Sequence, residues 1–177
     1  MSEENKRALE MLKKALEIEE RGYSYYDKTI STCKNEQGKK IFIMLRDDEK
    51  THIIRIRDIY KSIAAGKGWT DGWEALKTRS EEIAALFKEI VESAPPKESA
   101  EKDDLKAILQ GANFELATIR FYEEQLPFAE NFSEKRFIEA MIMEEKGHHK
   151  ALVDMHYYLT DPEGWLMEKE RSTLDGA

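Results

Sequence analysis

Displacing the sequence against itself by 96 residues brings two long stretches into register without a gap. Glu19 falls on Glu115, Tyr26 on Tyr122, Glu49 on Glu145 and His52 on His148. Lys50 meets Lys146, and Gly68-Trp69 meets Gly164-Trp165. The apolar positions follow: Leu9, Leu12, Leu16 and Tyr23 land on Leu105, Ile108, Ala112 and Ile119, while Ile56 and Ile59 land on Leu152 and Met155. One offset held across successive segments is the mark of a duplicated supersecondary unit. Whatever fold one half adopts, the other repeats.

Each half reads as two helices. Between Glu4 and Ile30 the positions Leu9, Leu12, Leu16, Glu19, Tyr23 and Tyr26 follow one another at alternating spacings of three and four, the seam of a bundle helix. A short polar turn, "TCKNE", precedes a second helix over 37–64, which the glycines of "AAGKG" stop. A third helix spans 104–125 and meets Pro127. A fourth runs from Ser133, with Asn131 an alternative cap, to about Leu159, where Asp161-Pro162 breaks it. The connection over 65–103 is long: an irregular "GWTDGWEALKTRS", a short extra helix over 80–93 capped by Ser80, and a proline-rich, charged linker over 94–104. Residues 160–177 form a tail whose Trp165 packs back. The expectation is an all-α chain forming one domain over 1–177. Two duplicated helical hairpins, 4–64 and 104–159, make a four-helix bundle with one long crossover.

Composition agrees and excludes several classes. Nine glycines and four prolines in 177 residues are too few for a turn-rich all-β fold. The formal charge of −8 argues against nucleic acid as partner, since phosphate binding needs a basic face. No stretch approaches the roughly 18–20 apolar residues of a membrane span, and the polar start "MSEENKRALE" is unlike a secretory leader. A cytoplasmic location is expected. Cys33, the only cysteine, rules out an intrachain disulfide and any thiolate-rich metal site made by this chain alone.

Acid occupies positions that the pattern reserves for apolar side chains. Glu115 interrupts the seam Leu105, Ile108, Ala112, Ile119, Tyr122; Glu49 and His52 interrupt Phe42, Leu45, Ile56, Ile59; Glu145 and His148 interrupt Ile138, Met141, Leu152, Met155. A buried carboxylate must be paired or bind a cation. Glu19 lies about 13 residues before the first turn and Glu49 about 13 after it, so at ~1.5 Å per residue both face one slab of core. The i, i+3 spacing puts each histidine on the face of its glutamate. Four glutamates and two histidines at one level match a dinuclear carboxylate site, with one Glu from each of two helices and a Glu-x-x-His pair from each of the others. Such donors suit iron or manganese.

"EIEERGYSYY" with "NFELATIRFY", and "EKTH" with "EKGH", resemble the ferritin-like di-iron carboxylate proteins, in particular their rubrerythrin-like branch, over roughly 4–64 and 104–159. The resemblance implies Glu19, Glu49, His52, Glu115, Glu145 and His148 as metal ligands, with Glu49 and Glu145 bridging two iron ions; manganese or zinc are alternatives. It implies that Tyr26 and Tyr122 hydrogen-bond ligand carboxylates. It further implies oxidation of ferrous iron by dioxygen or hydrogen peroxide. A metal-binding or sensing protein with little turnover, or a metal-free structural bundle, stand as the alternatives. Two departures bear on this reading. No Cys-x-x-Cys pairs of a rubredoxin module are present, so electrons would come from an external donor protein or from ferrous iron. The seventh carboxylate usual near the third-helix ligand is replaced by Ala112 or Thr118, so six ligands are expected.

The neighbouring residues are read more plainly. Asp48 and Glu144 are expected to face outward, the alternative being that one of them orients a histidine. Arg55 and Arg57 are expected on a solvated face of the second helix; their repeat mates Ala151 and Val153 would then mark a subunit contact. His149 and His156 are expected at the surface, and Trp69, Trp73 and Trp165 in the core or an interface. A homodimer is expected, two-fold pairing being the commonest assembly.

Overall fold

The computed structural model describes residues 2–79, 82, 83, 85–87, 89 and 101–174. Four long helices carry it: α1 (Glu3–Thr32), α2 (Glu36–Ala64), α3 (Lys102–Gln125) and α4 (Phe132–Thr160). Among the described residues there is no strand, and no helix is long and apolar enough to cross a membrane. The architecture is the expected all-α, ferritin-like bundle.

The helix ends follow local chemistry. The Ser2 hydroxyl accepts from the Asn5 N–H (3.2 Å) and the Asn35 side chain from the Gly38 N–H (2.8 Å). Asn131, rather than Ser133, caps α4, accepting from the Ser133 N–H at 2.8 Å. All three satisfy donors that a helix start leaves free. At the other end of α2, Gly66 adopts φ +74°. Lys67 N–H then reaches the Ser62 carbonyl and Gly66 N–H the Ile63 carbonyl, both at 3.0 Å. This is the six-to-one and five-to-two pattern of a glycine-terminated helix. Pro127 does not end α3 abruptly; it lies in a 3₁₀ turn, Leu126–Phe128.

The hairpins pair α1 with α2 and α3 with α4. Asp104 ties one to the other: its buried carboxylate accepts from the N–H groups of Lys34 (3.1 Å) and Asn35 (2.8 Å) in the first hairpin's turn. The tail differs from expectation. Pro162 opens a further helix, α5 (Pro162–Leu174), and Trp165 does pack back, buried and edge-on to Tyr158 with ring centroids 5.3 Å apart. Proline suits that first position because its missing N–H would have had no partner there. The short helix expected over 80–93 lies largely outside the described residues; of those described there, Ile83 and Leu86 are buried.

Two apolar clusters form the core. One gathers Tyr26, Phe42, Leu45, Ile108, Leu152, Met155 and Trp165. The other gathers Leu12, Ala15, Ile56, Ile59, Trp73, Phe137 and Met141. At ~1.5–3 kcal/mol for each large side chain buried, these layers supply the drive for folding. On α1 the fully buried line is Ala8, Leu12, Ala15, Glu19, Gly22 and Tyr26, whereas Leu9, Leu16 and Tyr23 of the expected seam are half-buried at its edge. Between the two clusters lies a slab of buried charged side chains.

Candidate metal centre

That slab holds all six proposed ligands. Glu19 comes from α1, Glu49 and His52 from α2, Glu115 from α3, and Glu145 and His148 from α4; none is more than 1% exposed. Donor atoms of Glu49, Glu115, Glu145 and His148 lie within 4.8 Å of one another, and so do those of Glu19, Glu49 and His52. Glu49 belongs to both groups. Glu145 bridges the histidines: its Oε1 is 3.0 Å from Nδ1 of His52 and its Oε2 3.1 Å from Nδ1 of His148. The imidazoles lie nearly parallel, with centroids 5.6 Å apart.

The tyrosines serve the carboxylates crosswise. Tyr122 of α3 donates to Oε1 of Glu19 on α1 at 2.6 Å, and Tyr26 of α1 donates to Oε1 of Glu115 on α3. Each hydroxyl therefore holds one oxygen of a glutamate from the opposite hairpin and leaves the other directed at the slab's centre. Burial first, and then the nearby carboxylate charge, raises both phenol pKa values well above the ordinary range, so the tyrosines stay neutral donors.

Asp48 and Glu144 do not face outward. Asp48 is 1% exposed, and its Oδ2 lies 3.1 Å from Nε2 of His148; Oε2 of Glu144 lies 2.9 Å from Nε2 of His52. Each carboxylate thus reaches across the bundle to the histidine of the other hairpin. With Nε2 engaged outside, Nδ1 of both imidazoles faces the glutamates, which is the orientation a metal-ligating histidine needs. Sequence reasoning placed them wrongly because a residue preceding a seam position lies ~100° round the helix from it. In this bundle that angle points at the next helix, not at solvent.

Arg55 is a second correction. It is 3% exposed, donates to Oε2 of Glu144 at 2.7 Å and to the Leu76 carbonyl, and lies over the Trp73 ring. Arg57 is exposed and pairs with Glu20 at 2.7 Å, as a solvated arginine should. Of the apolar mates, Ala151 is buried and Val153 exposed. His149 and His156 are half-buried and join neither donor group.

The electrostatics test whether cations fit. Burial, reinforced by Glu19, Glu145 and Glu115, raises the Glu49 carboxyl well above the carboxylate range; burial and then Glu145 do the same to Glu115. Burial alone would lower the His148 pKa, but Glu145 and Asp48 outweigh it and push it up to about 10. His52 is raised in the same sense, against burial, by Glu145 and Glu144. Burial opposes ionisation of Glu145, yet the two imidazolium charges pull its pKa below the usual carboxylate range. Without cations, protons must therefore neutralise the slab. Oε2 of Glu49 and Oε2 of Glu115 are buried with no hydrogen-bond donor, an arrangement costly unless a cation completes it. Oxygen-rich donors with one imidazole per group suit divalent iron or manganese.

Fold and site together define a ferritin-like helical bundle with a buried carboxylate–histidine cluster whose donor atoms are grouped closely enough to hold metal ions. The family model of Rubrerythrin matches residues 10–156, and the chain belongs to that family. No curated protein and no solved structure gives a significant match.

Proposed function

We propose that the chain is a non-haem di-iron oxidoreductase, oxidising ferrous iron with dioxygen or hydrogen peroxide at the slab of Glu19, Glu49, His52, Glu115, Glu145 and His148. The observation that carries this reading is the sharing of Glu49 between two donor groups, each with its own histidine, together with oxygens of Glu49 and Glu115 that lack any donor. A single-cation site needs neither a shared carboxylate nor a second imidazole.

Two bound iron ions would supply the electron pair that reduces the oxidant. The protein's part is to hold the donors and govern the surroundings. Glu49 belongs to both groups, and Glu145 reaches the histidine of each. Tyr26 and Tyr122 pin one oxygen each of Glu115 and Glu19, so these carboxylates keep their direction when the charge between them changes. Asp48 and Glu144 accept the outer N–H of the histidines and fix their ring planes. The apolar layers on both sides exclude bulk water and so strengthen every charge interaction in the slab. The electrons would reach the bundle from outside it: from a donor protein or domain, or from further ferrous iron.

The test is anaerobic loading with ferrous iron, followed by peroxide or air. Uptake and oxidation of about two irons per chain is the outcome expected of a dinuclear site. One iron per chain, or none, would end the proposal. Binding of two without oxidation would leave a metal-binding protein and remove the catalytic claim.

A further inference from the structure

The two histidines are supported by different chemistry, although the halves of the chain are copies. Asp48, which orients His148, is itself held by a neutral group: Oδ1 accepts from the backbone N–H of Arg79 at 2.7 Å. Glu144, which orients His52, is held by a charge. Arg55 Nη1 donates to the same Oε2 that meets the imidazole, at 2.7 Å, while Nη2 donates to the Leu76 carbonyl. The repeat mate of Arg55 is Ala151, so the guanidinium has no counterpart in the second half. Both supports come from the same short stretch of the crossover, residues 76–79, one through its backbone directly and one through Arg55.

Arg55 is costly where it stands. It is 3% exposed, and its Nε has no hydrogen-bond partner. Yet the shorter Asp48 needs only a backbone N–H, whereas Glu144 has an extra methylene and a side chain 14% exposed. A longer carboxylate at the edge of the core has water as an alternative partner, and a neutral donor would not hold it against an imidazole. A guanidinium does, because its fork engages two acceptors in a fixed geometry.

We propose that Arg55 is a positioning residue for one half of the metal site. It keeps Glu144 on Nε2 of His52, so that Nδ1 faces Glu19 and Glu145, and it makes that half dependent on the crossover at Leu76. The His148 half does not use it. This inference rests on the six-donor reading above and concerns this chain's own asymmetry.

The test is zinc(II) titration calorimetry on the full chain, with long-range proton–nitrogen NMR of the imidazoles in the zinc-loaded protein. Wild type should take up two ions and show two slowly exchanging Nε2–H protons. In Arg55→Leu one binding step should weaken by about 10–100-fold, the usual effect of losing such a support, while the other stays within about threefold. The His52 Nε2–H signal should broaden or vanish and that of His148 should persist. Arg55→Lys should recover most of the lost affinity, since an ammonium replaces the Nη1 contact but not the fork. An unchanged Arg55→Leu, equal weakening of both steps, or a lysine variant as poor as the leucine one would each overturn the proposal. If wild type binds no zinc, the six-donor reading itself fails, and that outcome is distinct from all of these. Glu144→Gln, which keeps the side chain's shape, gives the same one-step loss if the leucine variant does not fold, and two unchanged steps there count against the idea.

Discussion

Adding one methyl group to Gly22 should damage the site more than the fold. Gly22 lies one turn after Glu19 on the inner face of α1. A Cβ built there falls 2.9 Å from Cδ and 2.9 Å from Oε1 of Glu49, and 2.9 Å from Cε1 of Phe114. Ordinary carbon contacts lie at about 3.5–4.0 Å, so the neighbours must retreat by roughly half an ångström or more. Phe114, half-buried, can turn aside; Glu49 is 1% exposed and shared by both donor groups. Metal sites tolerate displacements of only about 0.5 Å. For the fold, alanine gains ~1 kcal/mol of helix propensity over glycine, against ~1–3 kcal/mol for overpacking. The net is a loss of roughly 0–2 kcal/mol, at most about 8 °C in melting temperature for a chain of this size. Metal affinity, by contrast, should fall at least about tenfold, since even an outer support is worth that much. The assay is a thermal melt with chelator present, paired with zinc(II) titration. Gly147→Ala is the control: nothing lies within 4 Å of its Cβ, and it should stabilise by ~0.5–1 kcal/mol without touching metal uptake. If Gly22→Ala behaves like that control, the close approach of α1 to Glu49 has no functional weight.

Three further outcomes follow from the same geometry. Divalent metal should raise the melting temperature: about 2.7 kcal/mol per site at a hundredfold excess over Kd, or about 5–10 °C, reversed by chelator; coincident melts with and without metal would contradict the site. Arg7→Met should cost ~1–3 kcal/mol, because Arg7 Nη2 lies 2.7 Å from both oxygens of the buried Glu134 but is 28% exposed, less shielded than the fully buried pairs worth more. Burial raises the Glu134 pKa in the folded chain, so its charged form weakens folding above that value and the penalty fades as pH falls through it; urea melts across a pH series should show the variant's deficit shrinking as pH falls from neutral through the acid range, and a deficit independent of pH would refute the assignment. Burial, aided by Asp104, pushes the Cys33 thiol up to about 11, leaving roughly one thiolate in a thousand near pH 8 against about a quarter for a free thiol. Thiol reagents should react at least about a hundredfold faster in denaturant than with the folded chain; equal rates would show Cys33 to be accessible.

The chain's own pattern determined the helices and the duplicated hairpins, and it marked Glu19, Glu49, His52, Glu115, Glu145 and His148 as acids and imidazoles on buried faces. Those follow from local rules: turn residues end helices, and an acid repeated in an apolar seam at a constant offset has to share its level with its copy. The positions of Tyr26 and Tyr122 are legible for the same reason, whereas the sequence offered Asn131 only as the alternative to Ser133, and the structure decided for it. Periodicity marks the centre of a buried face but not its width, and the width is set by how many neighbours a helix has. Each of the four long helices here meets at least two others, and the crossover covers a further side of α2. Asp48, Glu144 and Arg55, all off the seam, are therefore enclosed rather than solvated, and become the groups that orient the histidines. The helical tail is likewise a tertiary outcome, since Trp165 finds Tyr158 to pack on only once the bundle exists. What the tertiary structure alone decided is which charged side chains off the apolar stripes lie inside, because that depends on surfaces brought together from distant parts of the chain.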